Sequence, residues 1–117
     1  MIAGIGTDIV EVKRIKRLIQ NSKFLNRCFT EKEIEYFKSR NLNPQTIAGA
    51  FCAKEAFSKA IGTGIRFPFK AVEVLHDGLG KPYISTKLNC EYSFHLSISH
   101  TKEYALAFVI AEKSNAR

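Results

Sequence analysis

The sequence predicts an α+β domain, with helices concentrated in its N-terminal half and packed on an antiparallel sheet built mainly from its second half. Three observations predict it. Apolar residues recur at helical spacing between Val12 and Ile61. Beyond residue 65 the spacing shortens to strand alternation, punctuated by turn signals. A run of apolar and β-branched residues from Met1 to Val10 reads as a strand ahead of the helices. At 117 residues the chain fits one domain spanning 1–117.

In the opening strand, Ile2, Gly4, Gly6 and Asp8 share one face, and Ala3, Ile5, Thr7 and Ile9 share the other. Glycines beside Asp8 leave room for close approach by a ligand or another chain. A first helix is expected from Val10 to Asn21, with Val12, Ile15, Leu18 and Ile19 as its apolar stripe. Lys13, Arg14, Lys16 and Arg17 cover much of the rest. Thr30-Glu31-Lys32-Glu33 matches a capping box and starts a second helix that ends near Arg40. Asn43-Pro44 starts a third, which runs to about Ile61 and stops at Gly62-Thr63-Gly64. Ala71–His76 and Lys81–Ser85 are strands about an Asp77-Gly78-Leu79-Gly80 turn. Phe94–Ser99 and Tyr104–Ala111 form a hairpin. Glu112 to Arg117 are polar and lack apolar periodicity, so they are expected to form a loose tail.

Lysine and arginine total 18 against 11 acidic residues, a formal charge of +7. Such a charge suits an anionic partner, or solubility alone. Cys28, Cys52 and Cys90 are odd in number and form no CxxC pair, and no signal-peptide pattern is seen. Reduced cysteines acting as small apolar fillers, in a cytoplasmic protein, are expected. No apolar run approaches the roughly 20 residues of a membrane span. Zinc spacing, a P-loop and a dinucleotide fingerprint are all missing from the sequence. A nucleic-acid-binding role would account for the charge, but the aromatic platform of a single-strand binder is not there.

Phe51, Glu55 and Lys59 recur every four residues and lie along one helix face. Spacing alone makes Glu55 and Lys59 a solvated ion pair. Their neighbours Ala53, Ala56 and Ala60 are small, which indicates close packing and brings the carboxylate near other groups. Asp8 reads either as the N-cap of the following helix or as a metal ligand. With Glu55 it would offer the two carboxylates that suit Mg²⁺ on a phosphate ester, with Lys59 to stabilise developing charge. His100, in Ser97-Ile98-Ser99-His100, ends a strand and reads as polar surface or a ligand contact.

Gly4-Ile5-Gly6-Thr7-Asp8-Ile9-Val10-Glu11 and Phe51-Cys52-Ala53-Lys54-Glu55-Ala56-Phe57-Ser58-Lys59-Ala60-Ile61-Gly62-Thr63-Gly64 resemble the holo-acyl-carrier-protein synthases, the short bacterial phosphopantetheinyl transferases. Phe29-Thr30-Glu31-Lys32-Glu33, Gly80-Lys81-Pro82 and Ser97-Ile98-Ser99-His100 follow in that family's order, so the resemblance covers nearly the whole chain. It implies the 4′-phosphopantetheinyl transferase fold. It also implies transfer of 4′-phosphopantetheine from coenzyme A to a serine of apo-acyl carrier protein, releasing adenosine 3′,5′-bisphosphate and supporting fatty acid biosynthesis. Asp8, Glu55 and Lys59 would then be catalytic, with Asp8 and Glu55 holding Mg²⁺, or Mn²⁺ in its place. Lys54, Lys59, Gly62, Arg66, Lys81, Pro82 and His100 would bind coenzyme A. The base that takes the serine proton is left open between a metal-positioned water and a carboxylate. Lys13, Arg14 and Arg17 would dock the acidic carrier protein. Neither nucleic acid nor membrane would be a partner, and a homotrimer with sites between subunits is expected. One departure stands out: the family carries an arginine, thought to meet a coenzyme phosphate, where this chain has Ala50. Weaker binding would follow unless Arg66, Lys70 or Lys81 replaces it.

Overall fold

The computed structural model describes residues 1–62, 68–89 and 91–114. Strand β1 (Ile2–Glu11) is followed by helices α1 (Val12–Leu18), α2 (Phe24–Cys28), α3 (Glu31–Ser39) and α4 (Pro44–Ile61). A 3-10 turn at Phe69–Ala71 leads into strands β2 (Val72–His76), β3 (Pro82–Thr86), β4 (Tyr92–His100) and β5 (Tyr104–Lys113). One antiparallel sheet has the order β1-β5-β4, and β2-β3 form a separate hairpin. The α+β expectation holds, with β1 joining the second-half strands.

Three boundaries differ from the sequence reading, each for a tertiary reason. Val10 and Glu11 stay in β1 because they pair with Ala105 and Tyr104, so α1 starts later than expected. After Leu18 the chain leaves the helix through turns closed by Gln20 N–H to Arg17 O and Asn21 N–H to Leu18 O. Glu112 and Lys113 are not a loose tail; they extend β5, opposite Ser93 and Tyr92 of β4. The α3 and α4 starts match their caps. Thr30 and Glu33 form both halves of the capping box, and the Asn43 side chain accepts from Gln45 N–H at 2.9 Å. Gly62 ends α4 in the left-handed region at φ 79°, where a side chain would be strained.

Helix α4 lies across the inner face of the three-stranded sheet. Small inward residues on β5 let it approach: Ala105, Ala107, Val109 and Ala111 are all fully buried. The glycines of β1 take this further. A Cβ on Gly4 would fall 1.9 Å from Ala60 O, and one on Gly6 would fall 1.9 Å from Ala56 O. The space beside the Asp8 face is therefore filled by α4 of the same chain, not by a ligand or another subunit. Strand and helix run in opposite directions along this seam. Four strand residues advance ~13 Å and eight helix residues ~12 Å, so the contacts stay in step. Asp8, four residues past Gly4, arrives where α4 carries Cys52, Glu55 and Lys59.

The outer face of the same sheet is apolar and uncovered. Ile5, Ile9, Leu106 and Phe108 expose 56%, 59%, 41% and 37% of their surface.

Candidate active site

Asp8, Glu55 and Lys59 come together where β1 crosses α4. Asp8 does not cap α1; the N-cap is Glu11, which makes no side-chain cap bond. Lys59 reaches across to the strand, with Nζ 3.3 Å from Asp8 Oδ1 and donating to Thr7 O at 2.9 Å. Its side chain is half exposed, so it can be approached from solvent. A shallow cavity of about 200 Å³ lies over this pair, lined by Thr7, Asp8, Ile9, Lys59 and Leu106.

Glu55 sits close enough to Asp8 for their charges to interact. Burial raises its pKa above the ordinary 4.5, and repulsion from Asp8 raises it further, against the opposing pull of Lys59 and Arg14. Two carboxylates crowded in this way fit a hard divalent cation, which would relieve the repulsion and take oxygen ligands. Among the described residues no cluster of three or more His, Cys, Asp or Glu side chains could hold a metal ion. The protein's own offer to a cation here is this pair. Cys52 sits behind them, donating to Ala105 O at 3.3 Å. Burial, then the Asp8 charge and its hydrogen bond, push the thiol pKa far up, so Cys52 stays neutral, as an apolar filler would.

Arg14 belongs to this site as well as to the basic helix. Its guanidinium lies 5.8 Å from the Phe51 ring centroid, and its charge acts on Glu55. Arg17 is exposed on the last turn of α1. Lys13 faces another groove, of about 540 Å³, shared with Glu11, Lys16, Lys102 and Glu103.

A second cleft, of about 200 Å³, gathers residues from four directions. Tyr36 comes from α3, Gln45, Thr46, Gly49 and Ala50 from α4, Val74, His76, Gly80 and Pro82 from the β2-β3 hairpin, and Ile98 and His100 from β4. Expected coenzyme contacts Pro82 and His100 thus share a cleft with Ala50. Lys81 is exposed between two lining residues, and its backbone N–H donates to Asp77 Oδ1. Lys70 lines a different groove, with Thr30, Glu73 and Lys87, so it is not placed to stand in at Ala50. Arg66 lies outside the described residues, as do Thr63, Gly64 and Cys90.

The reading of Lys54 as a coenzyme contact needs correction. Lys54 is fully buried, and its Nζ donates to Glu33 Oε1 at 2.7 Å, Cys28 O at 2.8 Å and Phe69 O at 2.9 Å. An ammonium has three protons, so none is left for a ligand. The cleft also contains residues the sequence reading missed. Tyr36 and His76 stack at 4.0 Å with an interplanar angle of 9°, and Arg40 lies 5.2 Å over the Tyr36 ring. Burial, with the Arg40 charge, lowers the His76 pKa. Tyr36 and Arg40 are one helical turn apart, but His76 is remote from both in sequence, and no local spacing could have brought it to them.

The chain is similar to known proteins over nearly its whole length. Residues 4–109 match the model of the 4′-phosphopantetheinyl transferase superfamily. A holo-[acyl-carrier-protein] synthase of Clostridium botulinum is 54% identical over 121 residues, covering 96% of this chain and 98% of the relative. One from Clostridium perfringens is 51% identical over 126 residues, covering 96% and 95%. Among solved structures, the holo-(acyl-carrier-protein) synthase of Bacillus anthracis in complex with CoA (3′,5′-ADP) superposes with a TM-score of 0.88 at 45% identity, covering 97% of this chain and 99% of that one. The Helicobacter pylori enzyme in complex with coenzyme A gives 0.83 at 32% identity, covering 92% and 99%.

Proposed function

Because the chain belongs to the 4′-phosphopantetheinyl transferase superfamily, we propose that it is a holo-acyl-carrier-protein synthase, moving 4′-phosphopantetheine from coenzyme A to a serine of apo-acyl carrier protein. The observation that carries this reading is the convergence of Asp8, Glu55 and Lys59 at one crossing of strand and helix. In the reaction the serine Oγ, giving up its proton to a carboxylate or a water molecule, attacks the phosphorus that bears the pantetheine arm. The P–O bond to the nucleotide breaks, and adenosine 3′,5′-bisphosphate leaves.

Asp8 and Glu55 would hold Mg²⁺, which when bound neutralises pyrophosphate charge and polarises the phosphorus under attack. Lys59 would place its ammonium on the phosphoryl oxygens, exchanging its Asp8 contact for the more negative phosphate. Arg14, beside Glu55, would draw an acidic carrier protein toward the site, with Arg17 and Lys13 extending the basic surface. The nucleotide end of coenzyme A suits the cleft lined by Pro82 and His100.

We further infer a homotrimer that joins the two halves of the site. Within one chain the Asp8 cavity and the Pro82–His100 cleft share no lining residue. The outer face of the sheet runs between them: Ile9 and Leu106 border both the Asp8 cavity and a groove that reaches His100. Covering that face with a second copy would bring the Asp8 end of one subunit toward the His100 end of the next. A cytoplasmic role in fatty acid biosynthesis follows from the carrier protein and suits reduced cysteines.

Intact mass of a purified apo-acyl carrier protein tests the reading. With coenzyme A and Mg²⁺ the carrier should gain one phosphopantetheine group, and chelation of the metal should stop the gain. A folded protein that leaves the carrier mass unchanged sinks the proposal.

A further inference from the structure

The buried Lys54–Glu33 pair is used by none of the chemistry above, yet it ties together α3, α4 and β2, three of the elements that line the second cleft. Glu33 is 1% exposed and Lys54 is 0% exposed. Lys54 gives its three protons to Glu33, to Cys28 O at the end of α2 and to Phe69 O at the entry to β2. Glu33 Oε1 also accepts from Thr30 N–H at 2.9 Å, and Oε2 accepts from Val74 N–H at 2.9 Å. One ion pair therefore binds α2, α3, α4 and β2 to one another.

Its relation to the cleft is regular. Glu33 lies three residues before the cleft residue Tyr36 on α3, which is about one helical turn. Lys54 lies four residues after the cleft residue Ala50 on α4, again about one turn. Val74, whose amide the pair holds, lines the cleft directly, and His76 follows two residues on along the same face of β2. The hairpin β2-β3 belongs to a separate sheet, so strand pairing with β4 or β5 does not fix its distance from α4. A buried ion pair is a poor source of stability, since apolar side chains of similar volume commonly serve as well. What it supplies is direction: the Lys54–Glu33 bond ties α4 to α3 and the Val74 N–H bond ties α3 to β2, while bonds to Cys28 O, Phe69 O and Thr30 N–H fix the pair itself.

We propose that Lys54 and Glu33 are positioning residues that set the width of the cleft between α3, α4 and β2, and thereby the affinity for the nucleotide end of coenzyme A. The assignment of that ligand rests on the function proposed above. Neither residue touches the ligand; each acts through Tyr36, Ala50, Val74 and His76.

The test separates cleft geometry from general stability. Binding of adenosine 3′,5′-bisphosphate is measured by calorimetry, beside steady-state transfer kinetics, for Lys54→Met and for the double variant Lys54→Met with Glu33→Leu. The double variant removes the unpaired charge, so its melting temperature should recover toward that of the original protein. Affinity for the bisphosphate should stay about tenfold weaker in both, a smaller loss than the roughly hundredfold that a misplacement of about 1 Å from a distant mutation can cost in rate. KM for coenzyme A should rise in parallel, while KM for the carrier protein stays put and kcat at saturating coenzyme falls much less. Recovery of bisphosphate affinity together with melting temperature in the double variant overturns the proposal, since the pair would then act only on stability. A loss of kcat with unchanged KM for coenzyme A also overturns it, placing the effect at Glu55 instead. Should the double variant not fold, Glu33→Gln keeps the shape and the Val74 acceptor, and unchanged bisphosphate affinity there is equally fatal. Absence of transfer by the original protein, with bisphosphate still bound, would instead defeat the functional reading and leave the cleft experiment intact.

Discussion

Glu55 is placed where ionising it would serve a cation at a cost to the fold. Burial and the Asp8 charge raise its pKa above the ordinary 4.5, so ionising it costs more in the folded chain than in the unfolded one. Below pH 4.5 the group is protonated in both states and the cost vanishes. As pH rises through 4.5 the unfolded chain releases the proton first, and the cost grows until the folded group ionises too. Glu55→Gln should therefore abolish transfer yet melt no lower than the original protein at neutral pH. Thermal scans should show any advantage of the variant shrinking below pH 4.5. Adding Mg²⁺ should raise the melting temperature of the original protein and leave that of the variant unmoved. The sequence exposed Asp8, Glu55 and Lys59 through ordered motifs. It hid Lys54, because helical spacing tells which face a lysine occupies but not that three remote acceptors, Glu33, Cys28 O and Phe69 O, wait on that face. Glu33 was legible as a capping residue, and its second role was not.

The seam between β1 and α4 makes the strongest demand of any pair of elements. A methyl group on Gly6 would meet Ala56 O at 1.9 Å and Ala60 N at 2.7 Å, and neither is a flexible side-chain end. Gly6→Ala should destabilise the fold by ~3 kcal/mol or more, at or beyond the upper range for overpacking. Denaturant titration measures it, and a loss near zero would mean the seam can open. Where the variant folds, Asp8 is pushed from α4 and transfer falls with it. Long elements with caps at both ends were readable: α4 begins and ends where Asn43, Pro44 and Gly62 indicate. Helix α2 was not, because Lys23 makes no side-chain cap bond and the segment is held by packing. Phe24 meets Phe29 at 6.2 Å and Phe51 at 6.0 Å, contacts that no local pattern encodes.

For the whole molecule, charge and the uncovered sheet face would govern the associations proposed above. A net charge of +7 and an exposed basic helix should make carrier-protein docking depend on salt. Arg17→Glu should raise KM for the carrier several-fold at low salt, less at high salt, with KM for coenzyme A nearly unchanged, whereas Arg14→Glu, whose charge acts on Glu55, should disturb both. Phe108 lies centrally on the apolar face, opposite Thr7 and Ser97. Phe108→Glu should give a folded monomer by light scattering with little transfer activity; a variant that stays both trimeric and active would contradict a subunit interface there. The pairing of β1 with β5 also orders events in time. Asp8 lies opposite Ala107, roughly a hundred residues later in synthesis, and pairings this distant in sequence form slowly. While the chain emerges from the ribosome, α4 can form and carry Glu55 and Lys59, but β1 has no sheet partner until β5 follows. The Asp8–Glu55 pair proposed to hold a cation would therefore be fixed in place only once β5 has been made and has paired with β1.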